Sequence, residues 1–241
     1  METRLDNSLT KSFVVDSMST NFSIVNFRHP DSLDAGSLVT KAALKIGAQV
    51  DIITSNQDEV FANFNYGIIN WRAILQNKHW LLISSTTVLE GNSPSSAWGA
   101  SMIFGELEGT KTIMIVDLPE DYDKIPEMWG WIINRIRQIH ILFFTKEALD
   151  AISKLENTSN LLLLKKIKSK GLVPIVCTYD EDTSISNIIH PSGELSLQLQ
   201  SQFPFHLWLA HFINGLSLTN LNKSEIRYAA SCVENSKIPF N

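Results

Sequence analysis

The sequence contains little cysteine, with only Cys177 and Cys232 among its 241 residues. Two cysteines cannot form the disulfide framework of a small secreted domain, and Cys177 lies in an apolar run that predicts a buried core side chain. No apolar stretch approaches the roughly 20 residues that span a bilayer. Residues 1–6 lack the basic start and apolar centre of a signal peptide. We therefore expect a cytoplasmic protein without a membrane partner.

An excess of positive charge is also missing. The chain has 20 basic and 25 acidic residues and a net charge of −5, which argues against a general affinity for nucleic acid. Hydrophobic residues make up 44% of the chain and charged residues 19%, which is an ordinary globular composition. We expect residues 1–241 to form a single domain, with ample length for a core.

Glycine is scarce, and none of the 11 glycines belongs to a phosphate-binding motif such as G-x-G-x-x-G or G-x-x-x-x-G-K. A backbone that wraps closely around phosphate needs glycine, so this absence weakens any claim of nucleotide binding. We expect no metal pair from His206 and His211, because residues five apart lie about 140° from each other around a helix.

The stretch from residue 111 to residue 152 has the clearest pattern. An apolar run that ends at Val116 predicts a strand buried on both faces. Apolar residues at 129, 132, 133 and 136 then follow the spacing of one helix face. A second apolar run, at 139–144, precedes Thr145, which we expect to cap a helix beginning at Lys146. The stretch predicts two parallel strands joined by a crossover helix.

Apolar runs and helical patterns alternate on both sides of this stretch. We predict helices at 36–46, 67–76, 93–107, 161–169 (closed by Gly171), 205–216 and 223–233, and strands at 49–54, 80–84 and 172–178. Residues 185–200 have the pattern of an antiparallel hairpin. The predicted fold class is α/β, a doubly wound, mainly parallel sheet with helices on both faces and an antiparallel edge hairpin.

The first 30 residues are harder to interpret. Residues 11–15 and 22–27 have the pattern of short strands, which we expect to pair as a hairpin that covers an edge of the sheet or projects from the body. We expect residues 1–30 to be a strand extension or the remnant of a lid.

Polar residues follow three of the predicted strands. They are Asp117, then Thr145-Lys146-Glu147, and then Asp180-Glu181-Asp182. The carboxyl ends of parallel strands meet at one edge of a sheet, where ligands bind in such folds. Carboxylates gathered there would hold Mg²⁺ or act as a base. Asp and Glu are also ordinary turn and cap residues, and by themselves these short signals favour that interpretation.

The order of these segments resembles the ribokinase-like (PfkB) carbohydrate kinases, and among them the 2-keto-3-deoxygluconate kinase branch. The resemblance covers residues 65–234 and lies in the order, spacing and apolar pattern of the segments. Residues 116–119 are similar to the family's strand that ends in an Asp-x-Asn turn, and residues 141–148 to the strand that leads into Asn-x-x-Glu. Residues 174–184 are similar to the strand with a Thr-x-Gly turn, and residues 203–216 fall where the family has Gly-Ala-Gly-Asp.

The departures from this family pattern fall at its chemical groups. In the family, the Gly-Ala-Gly-Asp turn forms an anion hole, and its Asp is the base that activates the sugar hydroxyl. Here Phe203, Pro204 and Phe205 stand at the glycine positions, and His206 stands at the Asp position. Two aromatic side chains and a proline remove the close backbone approach and one N–H donor. His206 has the chemistry of a base, but without the anion hole the developing charge is uncompensated.

The phosphate, metal and nucleotide motifs differ as well. Thr145 and Ala148 replace the two functional residues of Asn-x-x-Glu, which organises Mg²⁺ and phosphate in the family. The segment that resembles the nucleotide turn contains Thr178, and Asp180 and Thr183 stand where glycines are expected. An aspartate beside ATP phosphates would repel them. Together these changes argue against phosphoryl transfer.

The resemblance implies a carbohydrate-kinase-like protein that has lost ATP-dependent phosphoryl transfer and serves in binding or assembly. A sugar or sugar acid is the expected ligand, a homodimer or another protein is the expected partner, and no cofactor or metal is expected. The segment around residues 22–28 would be lid-like. The alternative is an active ATP-dependent kinase for a sugar acid such as 2-keto-3-deoxygluconate, with His206 as base and Asp117 or Glu147 assisting Mg²⁺. A third interpretation is that the resemblance reflects only the shared pattern of doubly wound folds.

Overall fold

The computed structural model describes residues 10–13, 22–56, 58–217 and 222–235. Its strands are β1 (Thr10–Phe13), β2 (Ser23–Phe27), β3 (Gln49–Ile53), β4 (Trp80–Ser84), β5 (Lys111–Val116), β6 (Ile141–Phe144), β7 (Ile175–Asp180), β8 (Ile185–His190) and β9 (Gly193–Gln198). All of these strands join one sheet in the order β1-β3-β2-β4-β5-β6-β7-β8-β9. Six neighbouring strands of the sheet run parallel, namely β3, β2, β4, β5, β6 and β7. At one edge β1 is antiparallel to β3, and at the other edge β8 is antiparallel to both β7 and β9. The predicted fold class is confirmed.

Helices cover both faces of the sheet. They are α1 (Ala35–Lys45), α2 (Trp71–Leu75), α3 (Asn92–Glu108), α4 (Ile125–Asn134), α5 (Lys146–Leu155), α6 (Asn160–Gly171), α7 (Phe205–Ser217) and α8 (Lys223–Ser231). One core lies between the sheet and α2 to α6, and the other lies between the sheet and α1, α7 and α8. Along β5, Met114 and Val116 face the first core while Ile113 and Ile115 face the second, because side chains alternate along a strand. This two-sided burial explains the continuous apolar runs in the sequence.

The predicted crossover unit is confirmed in its strands and differs in its helix. β5 and β6 are parallel, and the Thr145 side chain accepts the Ala148 N–H at 3.3 Å, which caps α5 as expected. The helix α4 ends at Asn134, so Ile136 lies in a separate 3₁₀ turn. Ile133, predicted to face the core, has a side chain that is 44% exposed. The buried stripe of α4 is therefore narrower than the apolar spacing indicates.

The hairpin predicted from residues 11–15 and 22–27 is wrong for the residues that the structure describes. β2 lies inside the sheet, parallel to β3 and β4, and β1 pairs with β3 instead of β2. All five residues of β2 are buried, so the lid-like role expected around residues 22–28 is also wrong for this strand. The reason is that Ile24 packs into one core while Val25 and Phe27 pack into the other. Residues 14 and 15 lie outside the described part of the chain.

The helix α6 extends two residues beyond its predicted end at residue 169. Gly171 is the last helical residue, and Leu172 adopts the left-handed conformation, with φ of 57°. A Cβ atom on Gly171 would lie 2.7 Å from Ile136 Cγ1, so the glycine permits close packing rather than a turn.

Elsewhere, Cys177 is buried as predicted. Within the described residues, no helix is both long and apolar enough to cross a membrane.

Candidate functional site

The sheet has a topological switch point at the carboxyl ends of β2 and β4. From β2 the chain passes to β3, which flanks β2 on one side, and from β3 it returns to β4, which flanks β2 on the other side. Loops that diverge in this way leave a crevice, which is the usual ligand position in doubly wound folds. Here the crevice is a cleft of about 820 Å³ between the loops that follow β2, β4 and β5. We call it the large cleft, and its volume is that of a small-molecule site.

Asp117 forms one wall of the large cleft and is held by three hydrogen bonds. Its Oδ2 accepts the Ala35 N–H at 3.2 Å, which ties β5 to the first turn of α1. Its Oδ1 accepts the Leu118 N–H at 2.9 Å and the Thr145 hydroxyl at 3.4 Å. Burial raises the pKa of Asp117 above its ordinary value, although these hydrogen bonds oppose the rise. Two residues predicted from the sequence, Asp117 and Thr145, are thus in contact.

Two further carboxylates in the large cleft were missed by reasoning from the sequence. The Asp34 carboxylate caps α1 by accepting the Ser37 N–H at 2.8 Å. The carboxylate of the half-buried Glu90 receives no hydrogen bond or ion pair from the described residues. Burial and, to a smaller extent, the charge of the nearby Asp34 raise the pKa of Glu90 to about 7. The loop after β2 escaped notice because β2 was not recognised as a parallel strand. Glu90 could have been found by extending the search for acids to the whole loop after β4.

A second cleft, of about 210 Å³, lies between the ends of β6 and β7 and the start of α7. We call it the small cleft. Its walls include three predicted site residues, Thr145, Glu147 and Asp180, together with Lys146 and Asp182. Lys146 Nζ lies 3.0 Å from Asp180 Oδ1 and 2.6 Å from Asp182 Oδ2, which neutralises part of the negative charge. The hydrogen bond to Asp182 and, to a smaller extent, the one to Asp180 hold the pKa of Lys146 above its ordinary value.

The Asp180 carboxylate is bound by its own turn as well as by Lys146. It accepts the Asp182 N–H at 3.0 Å, in the turn that joins β7 to β8. Burial raises the pKa of Asp180, but the bonds from Lys146, Thr183 and Asp182 bring it below its ordinary value. The predicted residues Thr178 and Thr183 lie, respectively, buried in β7 and exposed in this turn. The segment compared with a nucleotide-binding turn is therefore a hairpin turn closed by a carboxylate.

The first turn of α7 is occupied by side chains of the protein itself. Glu181 Oε1 accepts the Phe205 N–H at 2.5 Å, and the Tyr179 hydroxyl oxygen accepts the Phe203 N–H at 3.3 Å. Pro204 supplies no N–H. A carboxylate is favourable at a helix N-terminus because the helix dipole and the free N–H groups attract negative charge. In this protein Glu181 takes the position in which an external anion would bind.

His206 lies on the first turn of α7, half-buried, with its ring edge-to-face against Phe205 at 5.5 Å between centroids. Burial lowers its pKa, the Glu181 charge opposes this change, and Lys45 adds to it. Its side chain is not part of the walls of either cleft. Within residues 22–56, 58–217 and 222–235, no three His, Cys, Asp or Glu residues are grouped so that they could hold a metal ion.

The fold has solved counterparts. The structure of 2-dehydro-3-deoxygluconokinase from Thermotoga maritima matches with a TM-score of 0.65 and 11% identity, over 90% of this chain and 93% of that chain. Fructokinase from Vibrio cholerae O395, in its apo form, matches with a TM-score of 0.64 and 11% identity, over 89% and 96% of the two chains. Aminoimidazole riboside kinase from Salmonella enterica matches with a TM-score of 0.56 and 14% identity, over 88% and 76%.

The chain has the ribokinase-like fold. The structural resemblance predicted from the order of segments is confirmed, and identities of 11 to 14% establish the fold alone. No family model and no curated protein matches the sequence. The function therefore has to be argued from the two clefts.

Proposed function

We propose that this protein is carbohydrate-kinase-like in ancestry, has lost ATP-dependent phosphoryl transfer, and acts by binding a small polyhydroxylated ligand in the large cleft. The observation that carries the proposal is the hydrogen bond from the Phe205 N–H to the Glu181 carboxylate. An enzyme that transfers a phosphoryl group needs free donors and positive charge where negative charge develops. Here a fixed carboxylate occupies the start of α7.

The electrostatics around α7 support the same proposal. Glu147, Asp180 and Asp182 line the small cleft together with Glu181, and among the described residues Lys146 is the only basic residue in its walls. Because Lys146 is already paired with two of these carboxylates, little positive charge is left for a phosphate group. The cleft is also smaller than the roughly 300 Å³ at which small-molecule sites begin. The phosphates of a nucleoside triphosphate would be repelled by these carboxylates, because the charge of Lys146 is already paired.

The large cleft supports the binding half of the proposal. It lies at the topological switch point, has a volume in the range of small-molecule sites, and is lined by hydrogen-bonding groups. The solved structures with the same fold include a 2-dehydro-3-deoxygluconokinase, whose name describes a sugar-acid substrate, and fructokinases, whose name describes a sugar. We carry the sugar-like ligand class to this chain as part of the proposal.

The test is a thermal-shift titration with Mg·ATP of the wild-type protein and of the His206→Ala variant. We expect no saturable rise of the melting temperature in either protein. A nucleotide present at 100 times its dissociation constant would stabilise the folded state by about 2.7 kcal/mol, a shift of several degrees. A saturable rise in the wild type, with sugar-dependent ATP consumption that His206→Ala abolishes, would overturn the proposal in favour of an active kinase with His206 as base.

A second candidate function, assembly with a partner or a second copy, is favoured by exposed apolar side chains on one helix. Ile103 and Leu107 lie one turn apart on α3 and are 40% and 63% exposed. The 3₁₀ turn at Tyr66–Ile68 contacts the same helix and exposes two more apolar side chains. We expect self-association that Leu107→Lys reduces, measured by light scattering after size exclusion. A wild-type monomer at all concentrations would contradict self-association.

A further inference from the structure

We infer that the large cleft selects a ligand that carries a positive charge, a polyhydroxylated ammonium compound such as an amino sugar or amino alditol, and rejects a sugar acid. This inference rests on the binding role proposed for the same cleft. It follows from the charges that face the cleft and from which of them the protein itself neutralises.

The walls of the large cleft carry a pronounced excess of carboxylates. In the part of the chain that the structure describes, six acidic residues line it: Asp31, Asp34, Glu90, Asp117, Glu120 and Asp121. One lysine and one histidine, Lys124 and His29, are the basic residues of the same walls. Lys124 is paired with Glu127 at 3.0 Å, and both side chains are about half exposed. A cleft with walls of one charge sign concentrates ligands of the opposite sign.

Arg28 is the other cation near this cleft, at the end of β2. Its Nη1 donates to the Ser32 carbonyl oxygen at 3.0 Å and to the Ser37 hydroxyl at 3.1 Å. Neither contact is to a carboxylate, and no ion pair of Arg28 is found among the described residues. Arg28 therefore braces the loop after β2 and leaves the carboxylates of the cleft unpaired.

Glu90 is the carboxylate that most needs a partner. Asp34 and Asp117 are each satisfied by N–H groups at the start of α1, whereas Glu90 has no such donor among the described residues. It is half-buried in the cleft beside Asp34, and its raised pKa reflects burial and that neighbouring charge. An ammonium group near Glu90 would relieve both effects. A carboxylate ligand at the same position would add a third negative charge.

The test is isothermal titration calorimetry at pH 8 with three compounds that differ only at their first carbon. They are glucamine with an ammonium group, glucitol with a hydroxyl group and gluconate with a carboxylate. We expect glucamine to bind at least about tenfold more tightly than glucitol, and gluconate to show no binding. The preference for glucamine should weaken as salt is added, because ions screen the attraction.

Two variants locate the effect. Glu90→Gln keeps the shape of the side chain, and we expect it to reduce the preference for glucamine over glucitol to about threefold or less. Lys124→Ala removes a cation from the cleft wall, and we expect glucamine to bind it at least as tightly as the wild type. An unchanged preference for glucamine in Glu90→Gln would overturn the assignment of the charge selectivity to Glu90.

The possible failures are distinguishable. Equal affinity for glucamine and glucitol, or tightest binding of gluconate, would overturn the charge selectivity while leaving the loss of phosphoryl transfer intact. ATP-dependent phosphorylation of glucamine would instead retain the charge selectivity and overturn the proposed function. Binding of none of the three compounds would overturn the inference together with the binding role of the cleft.

Discussion

The large and small clefts lie side by side at the carboxyl edge of one sheet, and both are acidic, yet their carboxylates are in different states. In the small cleft, Asp180 and Asp182 share Lys146, and Glu181 accepts an N–H of α7. In the large cleft, Glu90 has no partner among the described residues, and burial with Asp34 raises its pKa to about 7. Asp117, in the wall of the large cleft, accepts a hydrogen bond from Thr145, in the wall of the small cleft.

We infer that an acidic cluster can bind a ligand only where the protein leaves its charge unsatisfied. In the small cleft, Asp180, Asp182 and Glu181 are already bound to a lysine or to backbone N–H groups, so they serve to hold the hairpin turn and α7 in place. Those of the large cleft surround a volume of about 820 Å³ that remains open to a ligand. Four experiments test this difference between the two clefts.

The largest expected effect comes from Gly36→Val, in the first turn of α1 at the large cleft. A Cβ atom on Gly36 would clash with Ser84 Oγ and lie 3.2 Å from Leu82 Cδ2, so these buried side chains or α1 itself would have to shift. We expect the free energy of unfolding to fall by about 1–3 kcal/mol, measured by urea denaturation. The matched control is Gly130→Ala in α4, where a Cβ atom meets nothing within 4 Å. That change should stabilise the protein by about 0.5–1 kcal/mol, and equal destabilisation by both would contradict the close approach.

The next effect is the pH dependence caused by Glu90. Its pKa is about 7 in the folded protein against an ordinary value of 4.5. The unfolded chain therefore releases this proton at a lower pH, and the stability of the wild type falls as the pH rises from about 4.5 to about 7. Because Glu90 is partly exposed, we expect a loss of about 1–2 kcal/mol.

Glu90→Gln removes this loss. Urea denaturation should find the variant more stable than the wild type by about 1–2 kcal/mol at pH 8 and equal to it at pH 4. The exposed Glu120→Gln in the same cleft is the control and should follow the wild type at both pH values. A wild type and Glu90→Gln variant that stay parallel across the whole range would show that Glu90 is not the group responsible.

A smaller effect is expected at the small cleft from Glu181→Gln. The amide still accepts the Phe205 N–H, but the favourable interaction between the carboxylate charge and the α7 dipole is lost. We expect the free energy of unfolding to fall by about 0.3–1 kcal/mol at low ionic strength. The difference should shrink in high salt, and a difference that salt leaves unchanged would mean that the charge of Glu181 does not act on α7.

The smallest effect is expected from Lys146→Met, which would make the small cleft resemble the large one. Without Lys146, the carboxylates of Asp180 and Asp182 lose their shared cation. We expect millimolar Mg²⁺ to raise the melting temperature of this variant by about 2 °C and to leave the wild type unchanged. Lys165→Met, which breaks only the single pair with Glu194 at the edge hairpin, is the control and should not respond to Mg²⁺. A response in both variants would point to general ion effects.

Much of the fold could be predicted because its signals are local. The strand at Trp80–Ser84 was predicted with its observed bounds, and the cap at Thr145 was predicted with its helix. A buried strand requires a continuous apolar run, and a helix cap requires an oxygen within reach of N–H groups three residues away. The place of β2 was not predictable in this way, since the pattern of residues 22–27 is the same for an edge hairpin and for an interior strand.

The candidate site also has residues that the sequence predicts and properties that only the tertiary structure decides. Asp117, Thr145, Glu147 and Asp180 could be named from the sequence because each directly follows a readable strand. Which of them keep an unpaired charge was decided by contacts across the fold, such as Asp117 with Ala35, 82 residues earlier, and Lys146 with Asp180, 34 residues later. Glu90 became a candidate only when the loops after β2 and β4 were brought together around one cleft. Residue type and spacing set the local structure, whereas burial and pairing of charges depend on long-range packing, which no local pattern encodes.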